Sequence, residues 1–369
     1  MKVLSLLFAI SFLLLSGNGY AHKSSDSYLK INFENNKWNI VWDIAIRDLQ
    51  NVINIDENAD GKVTWGEVKF SRPFIESYAI SKLNIVSGED YCVLLPSDLK
   101  LNRHADGAYV VLYLIGNCSK NVSEVDVKYD LFFEVDKQHR GLLNFKTKNV
   151  DSSIVFSPTE PMTKVSLVKE NWMQTFQQYF VEGVWHIWIG YDHILFLLSL
   201  LIPMVLVKQY PVMVGAEDFK SSFWVVLKVV TAFTIAHSIT LSLSSLNLFS
   251  INIVIAESII ALSVALAALN NIRPIFPCDR WIIGFFFGLI HGFGFASVLA
   301  ELQLSNVSLG LSLLGFNAGV EIGQILIVAV FLPIAFLVRN TWVYQRLVVQ
   351  LGSFLIVLVG TFWFVERTF

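Results

Sequence analysis

The run from Leu309 to Val338, LGLSLLGFNAGVEIGQILIVAVFLPIAFLV, contains a single ionisable side chain, Glu321, and exceeds the roughly 20 residues a helix needs to cross a bilayer. A segment this apolar on every side belongs in lipid or deep in protein, so it sets the fold class: a polytopic α-helical membrane bundle. Working outward, comparable runs lie near residues 184–206, 221–246, 251–271, 281–301 and 343–364, giving about six spans in all. Hydrophobic residues make up 54% of the chain, and mean hydropathy is +0.56. That apolarity is concentrated after about residue 180, so the first half reads as a separate, soluble unit.

Residues 1–21 carry one lysine, an apolar stretch from Val3 to Leu15 and a small-residue end at Gly19-Tyr20-Ala21, the pattern of a secretory signal cleaved after Ala21. The mature chain would then begin at His22, whose free amine and imidazole could chelate a metal. Residues 22–165 alternate with period two in short runs, among them Tyr28–Phe33, Trp38–Trp42, Ala108–Ile115, Val125–Phe133 and Leu142–Lys146. Turn residues separate the runs, which predicts an extracytoplasmic, mainly β domain, as an antiparallel sheet or sandwich. In an oxidising compartment Cys92 and Cys118, both in strand-like sequence, could form a disulfide, while Cys278 falls in a predicted cytoplasmic loop as a free thiol. The net charge of −3, with no block of like charge, argues against a nucleic-acid partner.

Within that domain, Asp56-Glu57-Asn58-Ala59-Asp60-Gly61-Lys62-Val63-Thr64-Trp65-Gly66-Glu67 reads as a single EF-hand-type calcium loop over 56–67. Asp56, Asn58 and Asp60 supply side-chain oxygens, Lys62 a carbonyl, Thr64 a ligand through water and Glu67 the bidentate carboxylate. Gly61 stands where the loop turns sharply. A hard cation such as Ca²⁺ seeks this many oxygens.

Residues 166–183 read as an interfacial helix and linker, with Trp172, Phe176, Tyr179 and Phe180 spaced by glutamines, and 184–369 as the transmembrane helical domain. Lys208, Lys220, Arg273, Arg280, Arg339 and Arg346 collect at one set of ends, whereas Asn247–Ile251 and Gln303–Ser308 have none, so the former face the cytoplasm. An even number of spans returns the C-terminus to the outside, where Arg367 is an exception to that rule.

Ionisable groups buried in these spans demand a reason, because a charge in hydrocarbon costs several kcal/mol unless it is paired or binds an ion. His193, His237, Glu257, His291 and Glu321 each occupy a different span, about 9 to 18 Å from its outer end by helical rise. They predict one polar site in the outer half of the bilayer, with Asp192 and Asn317 beside it and His186 one turn nearer the surface. Imidazoles with carboxylates suit Ni²⁺, Co²⁺ or Zn²⁺.

The runs His186-Ile187-Trp188-Ile189-Gly190-Tyr191-Asp192-His193, Phe233–Leu241, His291-Gly292-Phe293-Gly294-Phe295 and Gly315–Gln324 resemble the HupE/UreJ family over about residues 180–369. The resemblance implies a nickel or cobalt permease in a bacterial inner (cytoplasmic) membrane, with a metal-handling role for His186, Asp192, His193 and His291. It is similar to the branch with an exported N-terminal domain carrying the EF-hand, which would lie in the periplasm or extracytoplasmic space. Two readings follow. One is a permease for a divalent transition metal, with Lys228, Ser263 and Asn270 as polar steps in the inner half. The other is an intramembrane zinc-dependent hydrolase, with His193, His237 and His291 holding the metal and Asp192, Glu257 or Glu321 as general base. A sealed, apolar inner half would favour the second.

Overall fold

The computed structural model describes residues 25–34, 37–88, 90–104, 106–118, 123–148, 150–168, 171–209, 212–302 and 304–368. The expected signal segment and His22 lie outside these. Strands β1 (Asp26–Glu34) and β2 (Lys37–Ala45) form a hairpin, followed by a short helix α1 (Ile46–Leu49), the loop 56–67, and helices α2 (Trp65–Phe70) and α3 (Arg72–Ser81). Strands β3 (Leu83–Ser87), β4 (Asp90–Tyr91), β5 (Val93–His104), β6 (Gly107–Asn117), β7 (Glu124–Tyr129), β8 (Arg140–Lys146), β9 (Asp151–Phe156) and β10 (Met162–Ser166) complete the region. They make a six-stranded sheet in the order β5-β6-β2-β1-β8-β9 and a four-stranded sheet in the order β10-β7-β3-β4. Pairing is antiparallel except between β1 and β8. The mainly β region read from alternation is therefore present, with one parallel pair that alternation alone does not reveal. Cys92, between β4 and β5, is bonded to Cys118 just after β6, and Cys278 is a free, exposed thiol.

Away from its edge strand β5, much of the larger sheet is buried on both faces, and the period of two separates the two uses. Leu29, Ile31, Val110, Leu112, Leu143, Phe145, Ile154 and Phe156 point into the sandwich core. Their neighbours Tyr28, Tyr109, Leu142 and Val155 point the other way and pack in one cluster with Tyr179, Ile187, Leu299, Leu302, Leu309 and Phe316 of the helical half. A strand needed by two cores reads as a continuous apolar run, which is the character of Val110–Leu114. Polar contacts fasten the same seam. Arg140 Nε donates to Glu182 Oε2 at 3.2 Å, Ser153 Oγ and Tyr179 OH are 2.6 Å apart, Asn144 Nδ2 donates to the Leu302 carbonyl at 2.5 Å, and Ser308 Oγ donates to the Asp151 carbonyl at 2.8 Å.

The helical half comprises α4 (Trp172–Ile189), α5 (Tyr191–Leu201), a small hairpin of β11 (Leu206–Gln209) and β12 (Val212–Gly215), α6 (Phe219–Ser245), α7 (Ile253–Ile272), α8 (Arg280–His291), α9 (Ala296–Glu301), α10 (Asn306–Val338) and α11 (Ser353–Thr368), the last preceded by a π-helical stretch at Val343–Gly352. Four helical segments, Phe219–Ser245, Ile253–Ile272, Asn306–Val338 and Val343–Thr368, are long and apolar enough to cross a membrane, and α4 with α5 adds a fifth if that bent pair is one span. Six continuous spans are therefore not what the described residues show. The expected crossing at 281–301 is divided: α8 has 12 residues and ends at Gly292, and a turn leads into α9. At 1.5 Å per residue α8 reaches only about 18 Å, against a hydrocarbon core of roughly 30 Å. Glycines at 292 and 294 weaken the helix there, and Gly292 lies so close to α6 that a methyl group would overlap Thr240 Oγ1 and the His237 carbonyl. The linker expected at 166–183 is continuous with the next segment, since α4 runs unbroken from Trp172 to Ile189.

Two buried groups in the β region respond to pH in opposite senses. Burial, aided by the Asp106 carboxylate, pushes the Asp26 carboxyl from 3.8 up to about 7 against the pull of Arg140 and Arg47. Burial, aided by Arg140, pulls the His139 imidazole from 6.5 down to about 3, where it bridges Ser25 and Tyr129 in its neutral form. The folded state holds the Asp26 proton more tightly than the unfolded chain, so its contribution is complete below pH 3.8 and is lost as pH rises through about 7. The His139 contribution is complete above pH 6.5 and is lost as pH falls towards about 3. Asp26→Asn should accordingly melt at a higher temperature than wild type at about pH 8, with a smaller gain at about pH 5. Tryptophan fluorescence of the full-length protein measures this, and an equal difference at both values would refute it.

Candidate metal site

Residues 186 and 193 would stand about 10 Å apart along a straight helix. The 71° bend between α4 and α5 brings them together, with ring centroids 4.6 Å apart. The bend falls at Gly190, where a Cβ would meet the His186 carbonyl at 2.7 Å and His193 Nδ1 at 2.8 Å. No other residue fits there without moving one of the two histidines. His186 is carried towards α10 by small residues as well: at Gly183 and Gly319 a methyl group would overlap the Phe316 and Phe180 carbonyls, so α4 and α10 touch backbone to backbone.

His237, from the middle of α6, completes a group with His186 and His193 whose candidate donor atoms all lie within 4.8 Å of one another. His291, the last residue of α8, places its ring 5.1 Å from that of His193. The Nε2 atoms of His186, His193, His237 and His291 are all buried without a hydrogen-bond partner. Three of these rings have a determined tautomer, because each Nδ1 faces an oxygen that can only accept. His193 Nδ1 donates to Asp192 Oδ1 at 2.9 Å, His291 Nδ1 donates to the Phe287 carbonyl at 2.9 Å, and His237 Nδ1 donates to Asn317 Oδ1 at 3.3 Å. The Asn317 amide is oriented in turn by Nδ2 donating to the Leu313 carbonyl at 2.8 Å. Each of the three Nε2 atoms therefore presents a lone pair. Imidazoles tied at Nδ1 and bare at Nε2 form a donor set that fits a borderline divalent transition metal.

The surroundings are dry. Phe295 and Phe316 stack with centroids 4.4 Å apart and both face His186, while Phe196 and Phe233 lie 4.9 and 5.2 Å from the His291 ring. Sequence reasoning gave no sign of this aromatic wall, since phenylalanines in an apolar span carry no distinguishing pattern.

Two of the carboxylates expected at the site, those of Asp192 and Glu321, stand behind or beyond the imidazoles. Asp192 Oδ1 accepts both the His193 main-chain N–H and its Nδ1–H, and Asp192 Oδ2 accepts both Nη groups of Arg367 at 3.4 Å. Its position orients His193 and does not add a donor to the group. Glu321 lies further towards the α6 start, where its Oε1 accepts Thr231 Oγ1 at 2.8 Å, and Thr234 Oγ1 donates to Gln324 Oε1 at 3.1 Å one turn away. The Glu257 carbonyl accepts Arg367 Nη1 at 3.2 Å. Of the expected inner polar steps, Asn270 caps Ile275 and Phe276, Ser263 bonds the Ile260 carbonyl, and Lys228 lies over the Trp281 ring. Beneath His291 the packing is apolar, through Leu197, Leu200, Val226, Val229, Val230 and Ile283. Arg367 was visible in the sequence only as the exception to the charge rule.

The loop at 56–67 is wound about its own oxygens. Asp56 Oδ1 and Oδ2 accept the N–H groups of Asp60 and Gly61 at 3.2 and 2.8 Å, Asn58 Oδ1 accepts Asp60 N–H at 2.9 Å, and Asp60 Oδ1 accepts Lys62 N–H at 2.8 Å. Ala59 and Gly61 take φ values of +56° and +79°. Thr64 and Glu67 form a capping box at the start of α2, with Glu67 Oε2 accepting Thr64 N–H at 2.8 Å and Thr64 Oγ1–H at 2.7 Å. The main-chain and side-chain donors of Thr64 hold the Glu67 carboxyl below its ordinary range. The main-chain N–H groups of Asn58 and Glu57 also face this carboxylate. The helix ahead of the loop is only the four residues of α1, so the loop is anchored by Ile55 and Val68 in the sandwich core instead of by a long helix pair.

No curated protein matches the chain. The family model described as HupE / UreJ protein matches residues 162–367, more than half of it. That interval opens in β10 and takes in every helix from α4 to α11, with all four imidazoles and Asp192, Asn317 and Arg367. The chain belongs to the HupE/UreJ family.

Proposed function

We propose that the chain is a membrane permease for a divalent transition metal, nickel or cobalt, and that His186, His193, His237 and His291 form its binding site in the outer half of the bilayer. One observation carries the reading: the candidate donor atoms of His186, His193 and His237 lie within 4.8 Å of one another with the His291 ring beside that of His193, and the Nε2 atoms of all four are buried without hydrogen-bond partners. Leaving one such polar atom unpaired costs about 1–3 kcal/mol, so a cluster of four is retained for what it binds. Asp192 and Asn317 orient the ligands, and the ion is the cargo. The arginine and lysine distribution supports a cytoplasmic end opposite the β region, which then faces the periplasm of a bacterial inner membrane.

In this reading the stacked Phe295 and Phe316 close the site towards the β region, and Phe196 and Phe233 close it from the inside. Thr234 with Gln324, then Thr231 with Glu321, supply polar steps further inward. A site shut at both sides is the occluded form of an alternating-access carrier. The apolar packing beneath His291 is also what a zinc hydrolase would tolerate, and it keeps that second reading in view. Against it, Asp192 already spends one oxygen on His193 and the other on Arg367, so it is poorly placed to activate a metal-bound water.

In this reading calcium at 56–67 supports the β region structurally, held by the side-chain oxygens of Asp56, Asn58, Asp60 and Glu67. Added Ca²⁺ should raise the melting temperature of the full-length wild-type protein and leave that of Glu67→Gln nearly unchanged. A wild type whose melting is indifferent to Ca²⁺ would remove the assignment.

For the membrane site, His186→Ala, His193→Ala and His237→Ala should each abolish stoichiometric nickel or cobalt binding by purified protein, measured by elemental analysis, while His104→Gln in the β region should retain it. Proteoliposomes holding the wild type should accumulate the ion, and the three variants should not. Binding without uptake by the wild type would turn the conclusion to the hydrolase.

A further inference from the structure

We propose that Arg367 is an internal cation that competes with the bound metal for the charge of Asp192 and so sets how readily the site releases its ion, an inference that rests on the permease reading of the same cluster. Both Nη groups of Arg367 reach Asp192 Oδ2 at 3.4 Å, and Nη1 also donates to the Glu257 carbonyl at 3.2 Å. The other oxygen, Oδ1, is the one that holds His193 Nδ1–H. One carboxylate therefore stands between a guanidinium and a metal-facing imidazole. A carboxylate behind an imidazole strengthens the ring as a donor by attracting its Nδ1 proton. A guanidinium on the same carboxylate withdraws part of that charge and so weakens the metal's hold.

The position of Arg367 is set by packing. At Gly360 a Cβ would meet the Ala265 nitrogen at 2.8 Å, so α11 lies directly against α7. About two helical turns beyond, Thr368 Oγ1 bonds Ser258 Oγ at 3.1 Å. The guanidinium is thereby carried to the first turn of α5 with its side chain only 14% exposed. A buried arginine fork at this carboxylate also keeps Asp192 tolerable when no ion is present, since an unpaired carboxylate there would be costly. Arg367 is a positioning residue, acting on the ion through Asp192 and His193.

Nickel affinity by isothermal titration calorimetry, and nickel release into excess chelator by stopped flow, test this on the full-length protein in detergent. Arg367→Gln and Arg367→Met should each bind nickel on the order of tenfold more tightly than wild type and release it correspondingly more slowly. Arg367→Lys, which keeps the charge but not the fork, should fall between. Asp192→Asn should bind about tenfold or more weakly, and adding Arg367→Gln to it should change little, because the arginine acts through that carboxylate. Unchanged or weaker affinity in the folded Gln and Met variants, or an Asp192→Asn protein with wild-type affinity, would overturn the proposal while leaving the permease reading intact. A wild type that binds no nickel would overturn both.

Discussion

Four imidazole nitrogens held away from water and from any protein partner are the constraint around which the helical half is arranged. Three of the rings are aimed by what lies behind them: a carboxylate for His193, an amide for His237, a main-chain carbonyl for His291. The helices depart from straight rods at the same residues. The bend at Gly190 folds His186 back over His193, and the break after His291 ends α8 where its last side chain meets the cluster. Irregular backbone at membrane depth is tolerated only where protein surrounds it, and here the stacked phenylalanines and the close α4–α10 contact provide that surround.

The β region is built into this arrangement. Its larger sheet has one face in the sandwich core and the other against α4, α9 and α10, so the strands that complete the sandwich also cover the helices that carry His186 and Phe316. Arg140 with Glu182, and Asn144 with the Leu302 carbonyl, hold that seam by polar contacts. The loop at 56–67 stands on the sandwich, exposed and tied to the core through Ile55 and Val68.

The strands were legible in the sequence because alternation records a face, and the histidines because an imidazole in an apolar span is expensive enough to need a use. Depth along a straight helix was a coarser guide. It put Glu321 and Glu257 level with the histidines, yet rise says nothing about which way a side chain points, and Glu321 turns to Thr231. Asp192 looked like a ligand by proximity. As the immediate neighbour of His193 it bonds that ring's own Nδ1 instead and stands behind it. Hydropathy averages over about twenty residues, so it reads through the bend at Gly190 and the turn at 292–295 and gives about six spans. Arg367, an exception to the charge rule in the sequence reading, is held by the Asp192 carboxylate.

The central claim is that histidine nitrogens alone make the inner coordination shell, with carboxylates one step removed. X-ray absorption on the nickel-loaded, full-length protein reads that shell directly. The account predicts three or four nitrogen scatterers at about 2 Å with the multiple-scattering signature of imidazole and no sulfur. A first shell made only of oxygens, without that imidazole signature, would contradict it.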